Sequence, residues 1–398
     1  MTPFLRKILG MNWVFVLVMY GLLIFGVFMI QSAARHVSVS NEVLAKFGSP
    51  GAYFASKQKS FILIGSFAYF AAAFVDYRWI RWLGIPFYFV SLVLLAMAMK
   101  VDDPVHQLKV GPLSFQPAQL GITAGILLIS WLVQDLAKLH RWFALPFVRI
   151  AIIGVTAAIP FLMVMKMGDM GSALVWMPVS VVALLIGGIP FRYLSCMAFI
   201  GAGVLPLLYF VMLPLVSKRG PERIDVWLRM MNGREVDILG DAYAPYYVSM
   251  AVGKAGWKGM GWNSSSRESI HEKGFISQET AHNDYIFAVI AEELGFRGAL
   301  LLLTAFALLL IQGLFIAFYS RDLSGRLLVC LVVALFFAHI FESIGMCVLL
   351  MPITGIPMPL VSYSGTFVVI CMFMLGLVQS VWIHRNWQPR IASQQEEA

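Results

Sequence analysis

The sequence predicts an all-α polytopic membrane protein of about ten transmembrane helices, folded as one integral membrane domain over residues 1–398. Three observations carry this. Hydrophobic residues make up 60% of the chain and charged residues 13%, with a mean hydropathy of +0.81. A soluble core cannot hide that much apolar surface. Apolar runs of about 20 residues recur along the whole chain, long enough to cross a hydrocarbon layer of ~30 Å. The runs are continuous rather than alternating, which selects helices over a closed barrel.

Ten spans fit, at roughly 12–32, 60–76, 79–99, 117–134, 148–166, 171–188, 191–215, 284–318, 327–350 and 365–384. The first follows Arg6 and Lys7 and exceeds the apolar length of a cleaved signal peptide, so it reads as an uncleaved span. The eighth is long enough to tilt or to project from the bilayer. Lys and Arg concentrate on one side in the short loops, among them Arg78, Arg81, Lys138, Arg141, Arg192 and Arg321. That side is cytoplasmic by the positive-inside rule, and both termini belong to it. The longest loop, about 216–283, is then extracytoplasmic and is expected to lie partly ordered over the bundle. Two places break the helical pattern. KMGDMGS (166–172) separates the fifth and sixth spans. MPITGIPMPLVSYSG (351–365) is apolar yet rich in Pro and Gly, so it cannot be a straight helix. Such backbone at membrane depth must be enclosed by protein or line a watery cavity, which predicts a re-entrant loop before the last helix.

Composition also excludes. The four cysteines, Cys196, Cys330, Cys347 and Cys371, fall inside apolar runs, which argues for small buried thiols rather than disulfides or zinc ligands. The net charge of +8 reflects loop asymmetry, and no basic cluster interleaved with aromatics marks a nucleic-acid surface. No spacing of His, Cys and carboxylates matches a structural metal site, and no phosphate-loop, dinucleotide or nucleophile-elbow motif occurs.

The stretch ETAHNDYIFAVIAEELGF (279–296) places three carboxylates on one apolar helix. Asp284 stands at its entrance, where a carboxylate is either a helix N-terminal acid or a general base facing a cavity. Glu292 and Glu293 lie ~12 Å and ~13.5 Å further along, rotated by ~80° and ~180°, so the three cannot form an acid–base dyad. Glu293 and Arg297 stand i,i+4 and are expected to form a structural ion pair. Lys166 and Asp169 occupy the break between the fifth and sixth spans. They are either a local turn pair or contacts to an anionic head group. Lys57, Lys59, Arg219 and Arg223 flank spans on the same side and could together hold a pyrophosphate.

These residues resemble the SEDS family (shape, elongation, division and sporulation), of RodA/FtsW/SpoVE type. AHNDYIFAVIAEELGF is similar to the family's H-T-D-F-I-F-A-V-x-x-E-E-L-G-F, and MPITGIPMPLVSYSGT to its L-P-x-T-G-x-P-L-P-x-x-S-Y-G-G-[ST]. KMGDMGSAL and FQPAQL resemble K-Q-P-D-L-G-T-A and I-Q-P-S-E-L. The resemblance implies a multi-pass protein of the bacterial cytoplasmic (inner) membrane, with its active site on the extracytoplasmic side. It implies an inverting peptidoglycan glycosyltransferase that polymerises lipid II, with an undecaprenyl-pyrophosphate-linked donor, during elongation or division. Asp284 matches the family's catalytic aspartate, which deprotonates the acceptor's 4-hydroxyl. Lys57, Lys166, Asp169, Arg223 and Ser362 are the expected substrate-binding residues. Cationic residues or a divalent cation, Mg2+ or Mn2+, would steady the leaving pyrophosphate. The implied partner is a class B penicillin-binding protein.

The chain departs from the pattern at several positions. Ser-Glu-Leu-x-Lys of the fourth span is Ala118-Gln119-Leu120-Gly121-Ile122, so an acid and a base are lost together, as when a structural pair is exchanged. Tyr-Gly-Gly is Tyr363-Ser364-Gly365, and the asparagine before Gly-Met is Ser343. Two other readings stay open on the sequence: a lipid II flippase, and a non-catalytic scaffold for the transpeptidase.

Overall fold

The computed structural model describes residues 3–101, 108–110, 113–197, 199 and 219–385. Its long helices are α1 (Trp13–Ala33), α2 (Pro50–Phe74), α3 (Gly84–Ala98), α4 (Pro117–Leu139), α5 (Pro146–Lys166) and α6 (Met170–Ile186). Beyond 219 come α7 (Arg219–Met231), α8 (Tyr243–Lys254), α9 (Ile286–Phe318), α10 (Leu323–Cys347) and α11 (Thr366–Ile383). Six of these, α1, α4, α5, α9, α10 and α11, are long and apolar enough to cross a membrane. The sequence-predicted spans each coincide with a helix except the seventh, 191–215. Beyond its helical start at 191–197 and residue 199, that span lies outside the described residues. The second helix begins at Pro50 rather than near 60, because the chain stays helical through Lys57 and Lys59. An antiparallel two-stranded hairpin, β1 (Leu108–Val110) and β2 (Leu113–Phe115), precedes α4 and was not anticipated.

Polar residues set where the helices start. Asn12 caps α1 by accepting from the Phe15 amide at 3.1 Å. Ser49 caps α2 with Pro50 in its first turn, and Asp322 caps α10 through the Gly325 amide. Each side chain satisfies an amide that the first turn leaves unpaired.

α10 is the central helix, with 72% of its most apolar window buried. It packs against α4, α6, α9 and α11, while α1 and α2 close one side through α9 and α11. The core residues are mostly Leu, Ile, Val, Met and Phe from all of these helices. Cys330, Cys347 and Cys371 are buried as expected. Cys196 is exposed, a correction to the sequence reading, because the helical stretch at 191–197 turns that side outward.

α9 is broken at Gly295 (φ 69°, ψ −169°), a conformation open to glycine. A helix break leaves carbonyls unpaired on one side and amides on the other. Loop 256–261 fills both gaps. The Met260 and Gly261 amides donate to the Glu292 and Glu293 carbonyls at 2.8 Å each, and the Phe296 amide donates to the Gly256 carbonyl at 2.9 Å. The extra length of the eighth span is therefore a separate short helix, locked to the long loop.

Candidate active site

Residues 348–365 contain no helix and no strand, yet much of the segment is packed inside the bundle. Ile356, Met358, Leu360, Val361 and Ser362 are all buried. Gly26 of α1 meets the Leu360 and Val361 backbone directly, leaving no room for a side chain there. Side chains settle the polar backbone. Ser362 Oγ accepts from the Met358 amide at 2.9 Å and donates to the Asn283 carbonyl at 2.6 Å. The Tyr363 amide donates to the His282 carbonyl at 3.0 Å, and Gln58 of α2 donates to the Ser362 carbonyl. The loop is thus riveted to the two residues before Asp284.

Asp284 stands two residues before α9, outside the spanning helix, and is half-buried. Gly355 (φ 76°) brings the loop backbone beside its carboxylate; a methyl group there would lie 3.6 Å from Oδ2. Among the described residues no hydrogen bond or ion pair holds this carboxylate. Burial, then the like charge of Asp169, raise its pKa to about 7, and Arg223 opposes them. His282 next to it is pushed down to about 4 by burial, and its ring packs 4.5 Å from Phe54.

The other expected binding residues divide. Asp169 caps α6 through the Ser172 amide at 3.0 Å and accepts from Gln116. Arg223 reaches the first part of the loop by donating to the Ile353 carbonyl at 3.2 Å. These two are the charges that act on Asp284. Lys57 is exposed and lies over the Tyr53 ring at 4.4 Å; Lys166 is exposed at the end of α5. Neither is among the charges acting on Asp284. Ser362 corrects an expectation: it is wholly buried, with its hydroxyl committed to Met358 and Asn283, so it fixes the loop and offers no surface to a substrate.

The expected Glu293–Arg297 pair does not form, because Gly295 breaks the helix that would have aligned them. Glu293 pairs with Arg35 at the end of α1 at 3.2 Å, and accepts from the Ser32 hydroxyl and the Asn263 amide. Glu292 accepts from the Ile270 and His271 amides. Arg35 also donates to His271 Nδ1, so that nitrogen is the acceptor and Nε2 carries the proton it donates to the Ala33 carbonyl. Burial, with Arg35 beside it, lowers the His271 pKa to about 3. Of Asp284, Glu292 and Glu293, the two glutamates therefore staple the loop to α1 and α9, and Asp284 is left facing the site.

Sequence reasoning missed Glu342, buried on α10 with one carboxyl oxygen unpartnered, whose charge acts on Asp169. It also missed His339, one turn earlier, whose Nε2 is unpartnered. The available signal was an ionisable residue inside an apolar span, which marks function by default.

The fold and the site define an integral membrane protein with a carboxylate held beneath an irregular intramembrane loop. The family model for the FtsW, RodA and SpoVE type, described as cell cycle protein, matches residues 12–387, and the chain belongs to that family. Peptidoglycan glycosyltransferase MrdB of Escherichia coli K12 is 27% identical over 76% of this chain and 78% of its own length. Stage V sporulation protein E of Bacillus subtilis is 29% identical over 83% of this chain and 87% of its own. Among solved structures, a chain of a peptidoglycan synthase complex that coordinates polymerization and crosslinking superposes with a TM-score of 0.74 at 23% identity. That match covers 95% of this chain and 99% of the other.

Proposed function

We propose that this chain is a peptidoglycan glycosyltransferase that polymerises lipid II, with Asp284 as the general base. The observation that carries the reading is the Asp284 carboxylate itself: half-buried, bound to no described side chain, and raised to about 7. A base with a pKa near the working pH combines ionisation with proton affinity. The names of the relatives supply the reaction class. In this reading Asp284 takes the proton of the acceptor sugar's 4-hydroxyl. The oxygen attacks the donor's anomeric carbon from the face opposite the leaving group, inverting it, and undecaprenyl pyrophosphate departs with the bonding electrons. One base suffices, since the pyrophosphate needs no proton to leave.

In this reading Arg223 brings its charge to the reacting centre beside Asp284. Among the described residues no three His, Cys, Asp or Glu side chains form a ready metal cage. A divalent cation is nonetheless commonly held by one or two carboxylates together with substrate phosphates, and Asp169 is the carboxylate that would meet it here. An entirely apolar groove of about 530 Å3 runs between α2, α3, α4 and α11, past Ala68, Phe87, Leu120 and Phe373. It suits a polyprenyl tail. The reading places the loop-bearing end outside the cytoplasmic membrane, both termini inside, and a class B penicillin-binding protein as the crosslinking partner.

Purified full-length chain with labelled lipid II tests it. Glycan strands are expected from the natural sequence and none from Asp284→Ala, a loss of at least about 10²–10⁴-fold. Transbilayer movement without strands points to a flippase. Transpeptidase binding with neither points to a scaffold.

A further inference from the structure

Beside Asp284 lies a separate cavity of about 190 Å3, between α7, the start of α8, Tyr285 and the strip 349–353. Its polar groups are Arg223 and Asp241, its aromatic side chains Trp227 and Tyr285, and Val226 and Pro352 are among its apolar residues. The cavity is preformed. Trp227 Nε1 donates to the Leu349 carbonyl at 2.8 Å and Arg223 to the Ile353 carbonyl at 3.2 Å, so α7 is pinned to the strip across from it. Tyr285 is the chain neighbour of Asp284, and Arg223 both lines the cavity and acts on the Asp284 carboxylate. The cavity and the base therefore share a boundary.

The lining selects the ligand's chemistry. An acyl chain would strand Arg223 and Asp241 against hydrocarbon. A pyrophosphate would meet the Asp241 carboxylate, with a single arginine in the lining to balance its charge. A pyranose meets neither objection. Its C–H face packs on aromatic rings, its hydroxyls bond to a carboxylate and a guanidinium, and an N-acetyl methyl fills an apolar corner. Small-molecule sites generally have this mixture of apolar lining and few polar groups. We propose that this cavity is the acceptor subsite, holding the terminal N-acetylated pyranose of the acceptor with its 4-hydroxyl turned toward Asp284. The inference rests on the glycosyltransferase reading above and adds to it the place from which the attacking sugar comes. The hydroxyl proton passes to Asp284, and the new C–O bond replaces the one to the departing pyrophosphate.

The test uses the full chain in lipid nanodiscs with N,N′,N″-triacetylchitotriose, a neutral probe with a free terminal 4-hydroxyl, read by saturation-transfer NMR. The natural sequence is expected to bind it. Val226→Phe, which fills the cavity, is expected to weaken binding about tenfold or more, while Asp284→Ala still binds. Asp241→Asn, at an exposed position, is the companion variant if Val226→Phe does not fold, and is expected to weaken binding several-fold. With lipid II, Val226→Phe or Asp241→Asn is expected to raise KM and shorten strands. Absence of probe binding to the natural sequence, equal binding by the cavity variants, or displacement of the probe by inorganic pyrophosphate overturns the subsite. A polymerising Asp284→Ala would instead remove the assigned base, with the sugar-binding result standing apart from it.

Discussion

Gly295 of α9 and Gly259 of the long loop lie backbone against backbone, so close that a methyl group on either would overlap the other's main chain. Both have positive φ, 69° and 73°. The contact is what permits loop 256–261 to pair with both sides of the helix break. Gly295→Ala and Gly259→Ala are each expected to cost about 1–3 kcal/mol through overlap and backbone strain, read as a lower melting temperature of the full chain in detergent. Gly253→Ala is the control: it lies in α8, has no atom within 4 Å of an added methyl, and is expected to be neutral or slightly stabilising. Equal melting temperatures for all three would mean the loop does not hold the helix break.

Arg35, not Arg297, balances Glu293. The ion pair is shielded, with side-chain exposures of 16% and 3%. Removing one partner of such a pair leaves a buried charge uncompensated, at a cost of about 3–5 kcal/mol for full burial and less here. Arg35→Ala is therefore expected to lower the melting temperature by several degrees, and Arg297→Ala to change stability by no more than about 0.5 kcal/mol. The reverse order would restore the i,i+4 pairing that the sequence alone suggests.

Hydropathy made the helices legible because a spanning helix needs little beyond length and apolar side chains. The candidate base was legible because Asp284 interrupts an otherwise apolar run within a specific motif. What sequence could not supply were relations that depend on one backbone angle. Gly295 sits between Glu293 and Arg297, and its positive φ alone redirects both side chains. Ser362 lies in a motif that reads as substrate-facing, yet which way a hydroxyl points in an irregular loop follows from packing. Gln119 and Ile122 are another case. Both are buried, Gln119 donates to Ser172, and no buried charge is left where an acid and a base stood in the family pattern. A buried carboxylate, Glu342, stands on the facing helix α10. Only the fold shows that α4 and α10 are neighbours.

The pH dependence of polymerisation follows from the neighbours of Asp284. A base must be ionised, so the rate is expected to fall tenfold per pH unit below an apparent pKa of about 7 and to level off above it. Asp169→Asn removes a like charge and is expected to move that pKa down; Arg223→Gln removes an opposite charge and is expected to move it up. Initial rates from pH 5 to pH 9 for the three proteins test the order. A natural-sequence profile that titrates in the ordinary carboxylate range near 4 would mean the base is solvated, contrary to the burial that sets its proton affinity.

Ser362 acts on Asp284 through the main chain. Its hydroxyl donates to the carbonyl of Asn283, the residue before Asp284, and accepts from the Met358 amide, both inside the bundle. Ser362→Ala leaves a buried donor and a part-buried acceptor without partners, the donor worth about 1–3 kcal/mol of desolvation penalty and the acceptor less. The loop is then free to shift against the turn that aims the carboxylate, and a displacement of about 1 Å at a reacting group can cost 10²-fold. The expected result is a large fall in kcat with the lipid II KM nearly unchanged, because the hydroxyl touches no substrate. Ser362→Thr keeps the hydroxyl and is expected to recover part of the rate. Ser364→Ala, whose weaker bond at 3.4 Å is to the Ser362 carbonyl, is expected to stay near the natural rate. A Ser362→Ala protein that instead loses affinity while keeping kcat would return this hydroxyl to the substrate.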